Sequence, residues 1–173
     1  MTWWKWLLLL VAGTAALVWI LGAMIPRGHV ATCTARFRAA PQRLYELVRD
    51  VAGATSWRKD LERVELLAPR EGKPAWAETS SWGKVTYVLD ADEPGRRLAY
   101  RIADDSLPYG GTWTFRFEPD GAGTRLSITE DGFVEPKVFR LLARFVFGYH
   151  RTLETYLRSL AAGTGDTVTV ERS

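Results

Sequence analysis

Glu130 is the residue of this sequence whose position best suits acid–base chemistry. It continues the alternation of Leu126 and Ile128, which predicts that the three side chains lie on one face of a strand. A carboxyl group that faces an apolar interior has a raised pKa and can act as a general acid or base. If the strand ends near Glu130, its carboxylate lies at the solvated mouth of that interior. The sequence favours this second position, because strand ends are the least well-defined part of such a pattern.

A second carboxylate, Glu78, shares one face of another predicted strand with Ser80, Trp76 and Trp82. The opposite face carries only small residues, which fit an interior about as well. Both orientations of this strand therefore stay open, and Glu78 receives no role from the sequence.

The two histidines do not predict a metal site. His29 and His150 fall in different elements, and Cys33 is the only cysteine, which excludes a zinc site built on cysteines. The neighbours of His150, Arg151 and Thr152, indicate a solvated helix edge. The sequence also has no P-loop, no glycine-rich dinucleotide motif and no Ser–His–Asp pattern. We therefore expect no metal and no cofactor.

The charge distribution argues against nucleic-acid binding. The chain has 23 Lys and Arg against 20 Asp and Glu, and the basic residues are scattered among acidic ones. Nucleic-acid binding requires a continuous basic surface, which this pattern lacks. The length of 173 residues, of which 47% are hydrophobic, suits one packed domain with an appendage.

An uncharged apolar segment covers residues 6–25, between Lys5 and Arg27. A helix needs about 20 such residues to cross the hydrocarbon core of a bilayer, and this segment has that length. Tryptophans near both ends suit the membrane interface, and Pro26 ends the helix. We expect residues 1–27 to anchor the chain in the cell membrane as one transmembrane helix.

Two questions about this segment stay open. A cleaved signal peptide is the alternative to an anchor, although its apolar core is usually shorter and ends in a small-x-small site. The side of the membrane is also undecided. Lys5 lies before the segment and Arg27, Arg36 and Arg38 lie after it, which slightly favours a cytoplasmic domain.

Short strands dominate the first part of the soluble domain, which we expect to cover residues 28–163. Residues 29–38 alternate as a half-buried strand, and Pro41 opens a short helix. Further strands, separated by turns, continue to residue 130. Because no β-α-β alternation is present, the pattern predicts an antiparallel sheet.

The last predicted element is one long helix from about residue 136 to 162. Its apolar residues recur at spacings of three and four, and Gly148 lies in the middle, where a bend is easy. Glycines at 163 and 165 end it. The remaining residues, 164–173, are expected to form a flexible tail.

This order of elements resembles the START/Bet v 1-like helix-grip fold, an α+β fold in which a curved antiparallel sheet wraps round a long C-terminal helix. Within it, the chain is most similar to the polyketide cyclase/dehydrase and lipid-transport group, also called SRPBCC proteins. The likeness covers residues 29 to 162. It is carried by Ala40-Pro41 before Leu44-Tyr45-Glu46-Leu47, by Trp57, by GTWTFRFEP at 111–119 and by GTRLSITE at 123–130.

The resemblance implies a cavity between the sheet and the C-terminal helix. In this sequence the implied lining is Tyr100, Ile102, Trp113, Phe115, Phe117, Leu126, Ile128, Phe139, Leu142, Phe145 and Tyr149. The favoured interpretation is a non-enzymatic, membrane-anchored protein that binds a hydrophobic small molecule or lipid. One alternative is a cyclase- or dehydratase-type enzyme that uses Glu130, Tyr100 or Tyr149. The other is an interaction module of a membrane complex.

Overall fold

The computed structural model describes residues 3–173. The helices are α1 (Trp3–Met24), α2 (Pro41–Arg49), α3 (Lys137–Leu142) and α4 (Arg151–Thr164), with a short 3₁₀ turn at Ala54–Ser56. The strands are β1 (Gly28–Phe37), β2 (Leu61–Arg70), β3 (Lys73–Ser80), β4 (Gly83–Glu93), β5 (Arg97–Ile102), β6 (Tyr109–Asp120), β7 (Gly123–Val134) and β8 (Val170–Arg172).

All eight strands belong to one antiparallel sheet with the order β2-β3-β4-β5-β6-β7-β1-β8. Strands β2 to β7 follow one another as hairpins, whereas β1 lies between β7 and β8. In the pairing of β1 with β7, Cys33 lies opposite Ile128. The sheet curves round the C-terminal part of the chain. The predicted helix-grip α+β fold is confirmed.

The core lies between the inner face of the sheet and α4. Alternate residues of β1 are buried, as the sequence pattern predicts, and α2 covers one side with Leu44 and Val48. Helix α4 contributes Leu153, Leu157 and Leu160, which have no solvent exposure. Burying each such leucine stabilises the fold by roughly 1.5–3 kcal/mol, so these residues fix α4 against the sheet.

The predicted long helix at residues 136–162 is two helices. A π-helical turn at Ala143–Phe147 follows α3, and the chain then breaks at Gly148, where φ is 73°. Residues other than glycine rarely adopt such a φ, so Gly148 sets the position of the break. Apolar periodicity continues through the break, but the backbone turns, and the side chains before it face away from the core.

The expected flexible tail at residues 164–173 also differs from the structure. Residues Val170–Arg172 form β8 and pair with β1. Arg172 forms an ion pair with Glu154 of α4, and Arg38 Nε lies 2.5 Å from Asp166 Oδ1. The tail therefore closes the edge of the sheet beside β1.

Helix α1 has 22 residues, which gives it a length of about 33 Å. By length and composition it can cross a membrane, a property that signal sequences share. Gly22 is its one buried residue, because the last turn of α1 packs against Lys137 at the start of α3. A Cβ atom at position 22 would lie 2.4 Å from the Lys137 carbonyl oxygen, so glycine allows this close approach.

Candidate functional site

A cavity of about 290 Å³, called the larger cavity here, lies between the sheet and the junction of α3 with α4. Strands β6 and β7 form one wall, and the residues around Gly148 form the other. The lining consists of His29, Tyr87, Ile102, Tyr109, Gly110, Gly111, Trp113, Glu130, Phe133, Val134, Ala143, Phe147, Gly148, Tyr149 and Thr152. Aromatic and apolar groups dominate, as in most sites for small organic molecules.

A smaller recess of about 50 Å³ adjoins this cavity, and the two share Tyr87 and Trp113 in their linings. The rest of the recess is formed by Val48, Val51, Ala54, Arg58, Glu78, Tyr100, Phe115 and Tyr156. The larger cavity is lined mainly by apolar groups, whereas the recess also has the charged side chains of Arg58 and Glu78.

An ion pair lies in the recess. Arg58 Nη1 donates to Glu78 Oε2 at 2.8 Å, and Arg58 Nη2 donates to Asp60 Oδ2 at 2.8 Å. The side chains of Arg58 and Glu78 are only 14% and 12% exposed. Trp76 Nε1 donates to the other oxygen of Glu78 at 3.1 Å, so both carboxylate oxygens have a donor.

The electrostatics keep Arg58 charged. Burial lowers the pKa of its guanidinium, but the Glu78 carboxylate and the hydrogen bond to Asp60 outweigh burial and raise the pKa above its ordinary value. Burial raises the pKa of Tyr87 and of Tyr156, so both phenols stay protonated in neutral solution. The recess therefore combines one fixed ion pair with neutral hydroxyl groups.

Tyr156 links the recess to the core. Its ring packs edge-on against Trp57 and Trp113, with centroids 5.3 and 5.7 Å away, and Arg58 lies 5.1 Å over the same ring. The Tyr100 hydroxyl donates to the Val48 carbonyl at 2.6 Å, which fixes this ring between β5 and α2. These contacts give the recess a rigid wall.

Glu130 lies on the wall of the larger cavity beside His29. The distance from Glu130 Oε1 to His29 Nε2 is 3.5 Å, and the Glu130 side chain is 22% exposed. The His29 ring stacks on Tyr149 with centroids 4.0 Å apart. Gly132 leaves room for this ring, because a Cβ atom there would lie 3.0 Å from His29 Cε1.

The sequence profile of the family described as "polyketide cyclase / dehydrase and lipid transport" matches residues 29–167. The chain belongs to this family. No curated protein sequence matches the chain.

Solved structures share the fold of this polyketide cyclase/dehydrase family member. TTHA0849 from Thermus thermophilus is 21% identical, with a TM-score of 0.62, over 76% of this chain and 94% of its own. The Zhui aromatase/cyclase from Streptomyces sp. R1128 is 19% identical, with a TM-score of 0.67, over 80% and 94%. The di-domain aromatase/cyclase StfQ from the steffimycin biosynthetic pathway is 14% identical, with a TM-score of 0.63, over 78% and 50%. At these identities the likeness establishes the fold.

Of the eleven residues expected to line a ligand cavity, five line one of the two spaces. Tyr100 and Phe115 lie in the recess, Ile102 and Tyr149 lie in the larger cavity, and Trp113 lies between them.

The structure corrects the expected lining at the other six positions. Phe117, Leu126 and Ile128 are buried in the solid core, because the cavity occupies only the end of the sheet near Tyr109 and Val134. The break at Gly148 turns the preceding residues outward, so that Phe139 is 56% and Phe145 is 71% exposed. Leu142 is half-buried and lies outside both linings.

The sequence did not assign the polar residues of the recess to a site. Arg58 follows Trp57 in an irregular loop, where no periodic pattern assigns an orientation. Glu78 lies on a strand whose two faces are both compatible with an interior. Tyr156 has the helical spacing of core residues, which identifies it as buried but does not identify it as part of a cavity.

Proposed function

We propose that this protein binds a hydrophobic small molecule, or one chain of a lipid, in the cavity between the sheet and α4, while α1 tethers the domain to a membrane. The observation that carries this proposal is the aromatic-lined cavity of about 290 Å³, which shares Tyr87 and Trp113 with a polar recess. Its volume lies just below the range of about 300–1,000 Å³ that is usual for small-molecule sites. This size favours a compact ligand over an intact two-chain lipid.

The recess favours a ligand with an uncharged oxygen at one end. Arg58 has five N–H donors, and its bonds to Glu78 and Asp60 leave some of them free. Because two carboxylates already neutralise the guanidinium, a ligand carboxylate gains little attraction and meets repulsion from Glu78. A carbonyl or hydroxyl oxygen accepts from Arg58 or from the tyrosines without that repulsion.

The tether supports a ligand that comes from the membrane. A domain held at the bilayer by α1 meets membrane-dissolved molecules at a higher effective concentration than a free domain does. If α1 were a cleaved signal sequence, the mature domain would lack this advantage. Membrane extraction tests the anchor: we expect detergent, but neither salt nor alkali, to release the full chain, and release by alkali would contradict a transmembrane helix.

Native mass spectrometry of the detergent-solubilised full chain, followed by organic extraction, tests the ligand. We expect one apolar molecule per chain. Ala143→Phe places a ring in the cavity and should remove the bound mass, whereas Ala162→Phe, at an exposed position of α4, should retain it. Equal ligand content in both variants would contradict binding at this site.

An enzyme of cyclase or dehydratase type is the second candidate. The observation that favours it is the pair of Glu130 and His29, 3.5 Å apart on the wall of an apolar cavity, where a carboxylate and an imidazole can transfer protons. A screen of aromatic and polyketide-like carbonyl compounds, with wild-type and Glu130→Gln full chains, tests it. Turnover that survives in Glu130→Gln would remove Glu130 from the mechanism.

A further inference from the structure

We infer that an exposed apolar surface beside α1 docks on the same lipid bilayer that holds α1, so that the cavity opens towards the membrane. This surface, named the apolar rim here, consists of Trp82, Val138, Phe139, Phe145, Val146 and Phe147. The inference rests on the proposed membrane tether and is independent of the identity of the ligand.

The apolar rim is unusual for a surface in contact with water. Trp82 is 87% exposed and Phe145 is 71% exposed, and the other members are exposed as well. The Trp82 ring, at the tip of the β3–β4 hairpin, packs edge-on against Phe147 with centroids 6.5 Å apart. The rim is therefore a contiguous patch that joins two elements, and such patches mark interaction sites.

The position of α1 identifies the bilayer as the partner. The last two turns of α1 pack on the start of α3, where Lys137 Nζ lies 3.4 Å over the Trp19 ring. Arg140 Nη1 donates to the Ile25 carbonyl at 3.4 Å. If α1 crosses the membrane, these contacts place α3 at the level where the hydrocarbon core ends. Aromatic residues and arginines are favoured at that level.

The charges near the rim fit lipid headgroups. Residues 136–153 contain Lys137, Arg140, Arg144 and Arg151 and no acidic residue. Basic groups beside inserted apolar side chains are attracted to anionic lipids. A protein partner would require complementary acidic groups at the same place, whereas a bilayer supplies both apolar chains and phosphates.

The rim and the cavity share residues. Phe147 belongs to the rim and also lines the larger cavity, together with its neighbours Gly148 and Tyr149. A rim that is inserted in the headgroup region therefore brings this wall of the cavity against the lipid. A ligand then moves between bilayer and cavity without crossing water.

Site-specific fluorescence quenching tests the docking on the full chain. The background variant Cys33→Ala removes the only cysteine, and a single cysteine is then introduced at Phe145, Leu10 or Ala122 and labelled with an environment-sensitive dye. Position 122 lies in the turn at the far end of β6, about 35 Å along the strand from Tyr109. The chains are placed in nanodiscs of phosphatidylcholine and phosphatidylglycerol, with or without doxyl-labelled phosphatidylcholine.

Three outcomes decide between the proposals. Quenching at 10 and 145 but not at 122 supports docking of the rim. Quenching at position 10 alone overturns the docking and leaves the tether intact. In that case, a dye at position 145 whose emission is blue-shifted but not quenched identifies a contact with protein. Absence of quenching at 10 overturns the tether, and with it the docking. Ligand content measured by native mass spectrometry stays a separate readout.

Discussion

The Arg58 guanidinium and the Glu78 carboxylate meet at 2.8 Å inside the domain, although they are 20 residues apart in the sequence. Arg58 comes from the loop after α2, and Glu78 comes from β3. This pair fixes the loop against the sheet and also lines the recess. The two side chains that hold the loop on the sheet are therefore the same two that would meet a ligand in the recess.

Replacement of Glu78 by Gln should destabilise the fold. In this variant Arg58 keeps its ion pair with Asp60 but loses the one with the buried carboxylate of Glu78. The loss should lower the free energy of unfolding by about 1–3 kcal/mol. Glu62→Gln, at an exposed position of β2, is the matched control and should have little effect. Denaturant unfolding of the full chains in detergent measures both. Equal midpoints for the two variants would mean that the pair contributes nothing to stability.

Asp92 should make the stability depend on acid pH. Burial opposes its ionisation, but the hydroxyl of Tyr45 and the guanidinium of Arg49 outweigh burial and lower the pKa of Asp92 below its ordinary value. A carboxyl group with a lowered pKa stabilises the fold above the unfolded-state pKa of about 3.9, and this contribution is lost as the pH falls through the folded-state value.

Asp92→Asn should therefore lose stability at pH 7 and show a weaker decline of stability below about pH 4 than the wild-type chain. Asp105→Asn, at an exposed loop position, is the control and should keep the wild-type pH profile. Unfolding midpoints measured from pH 7 down to the acid limit provide the comparison. Parallel profiles for Asp92→Asn and the wild type would contradict the role of this carboxylate.

Cys33 should be unreactive in the folded protein. Its side chain has no solvent exposure, and burial, followed by the charge of Glu154, raises the pKa of the thiol to about 11. Because the thiolate is the reactive form, alkylation by iodoacetamide at pH 8 should be very slow until the chain unfolds. A cysteine introduced at the exposed position 122 should react rapidly in the same assay, and mass spectrometry separates the two. Rapid modification of Cys33 in the native chain would show that β1 opens locally.

The sequence predicted the sheet well because its strands alternate between a buried and an exposed face. In β1 the small residues Ala31, Cys33 and Ala35 are buried in the predicted register. Periodicity was less informative where a continuous helix and a broken helix would show the same apolar spacing. The apolar spacing of residues 136–162 continues across Gly148, so it could not show that Phe145 faces outward. Nor could periodicity predict the orientation of the Arg58 side chain, since an irregular loop has no repeating pattern.

Gly148→Ala should destabilise the junction of α3 and α4. The φ of 73° at Gly148 is unfavourable for alanine, which should cost about 1 kcal/mol or more in the free energy of unfolding. Gly28→Ala is the control, because its added Cβ atom would make an ordinary contact at 3.7 Å and φ is not positive there. Thermal unfolding of both variants measures the difference. A stabilised Gly148→Ala chain would indicate that α3 and α4 join into the single helix predicted from the sequence.

Arg58→Lys should separate charge from hydrogen bonding in ligand recognition. Lysine keeps a positive charge for Glu78 and Asp60, but it has three donors on one nitrogen and cannot hold both carboxylates and a ligand oxygen with the geometry of a guanidinium. Loss of one hydrogen bond of about 1 kcal/mol should weaken ligand retention roughly fivefold.

Arg63→Lys, at an exposed position of β2, is the matched control. Native mass spectrometry at increasing detergent dilution measures the occupancy, and unfolding midpoints show whether each variant is folded. If folded Arg58→Lys retained ligand as well as Arg63→Lys, the ligand would not reach the recess, and its binding would depend on the apolar cavity alone.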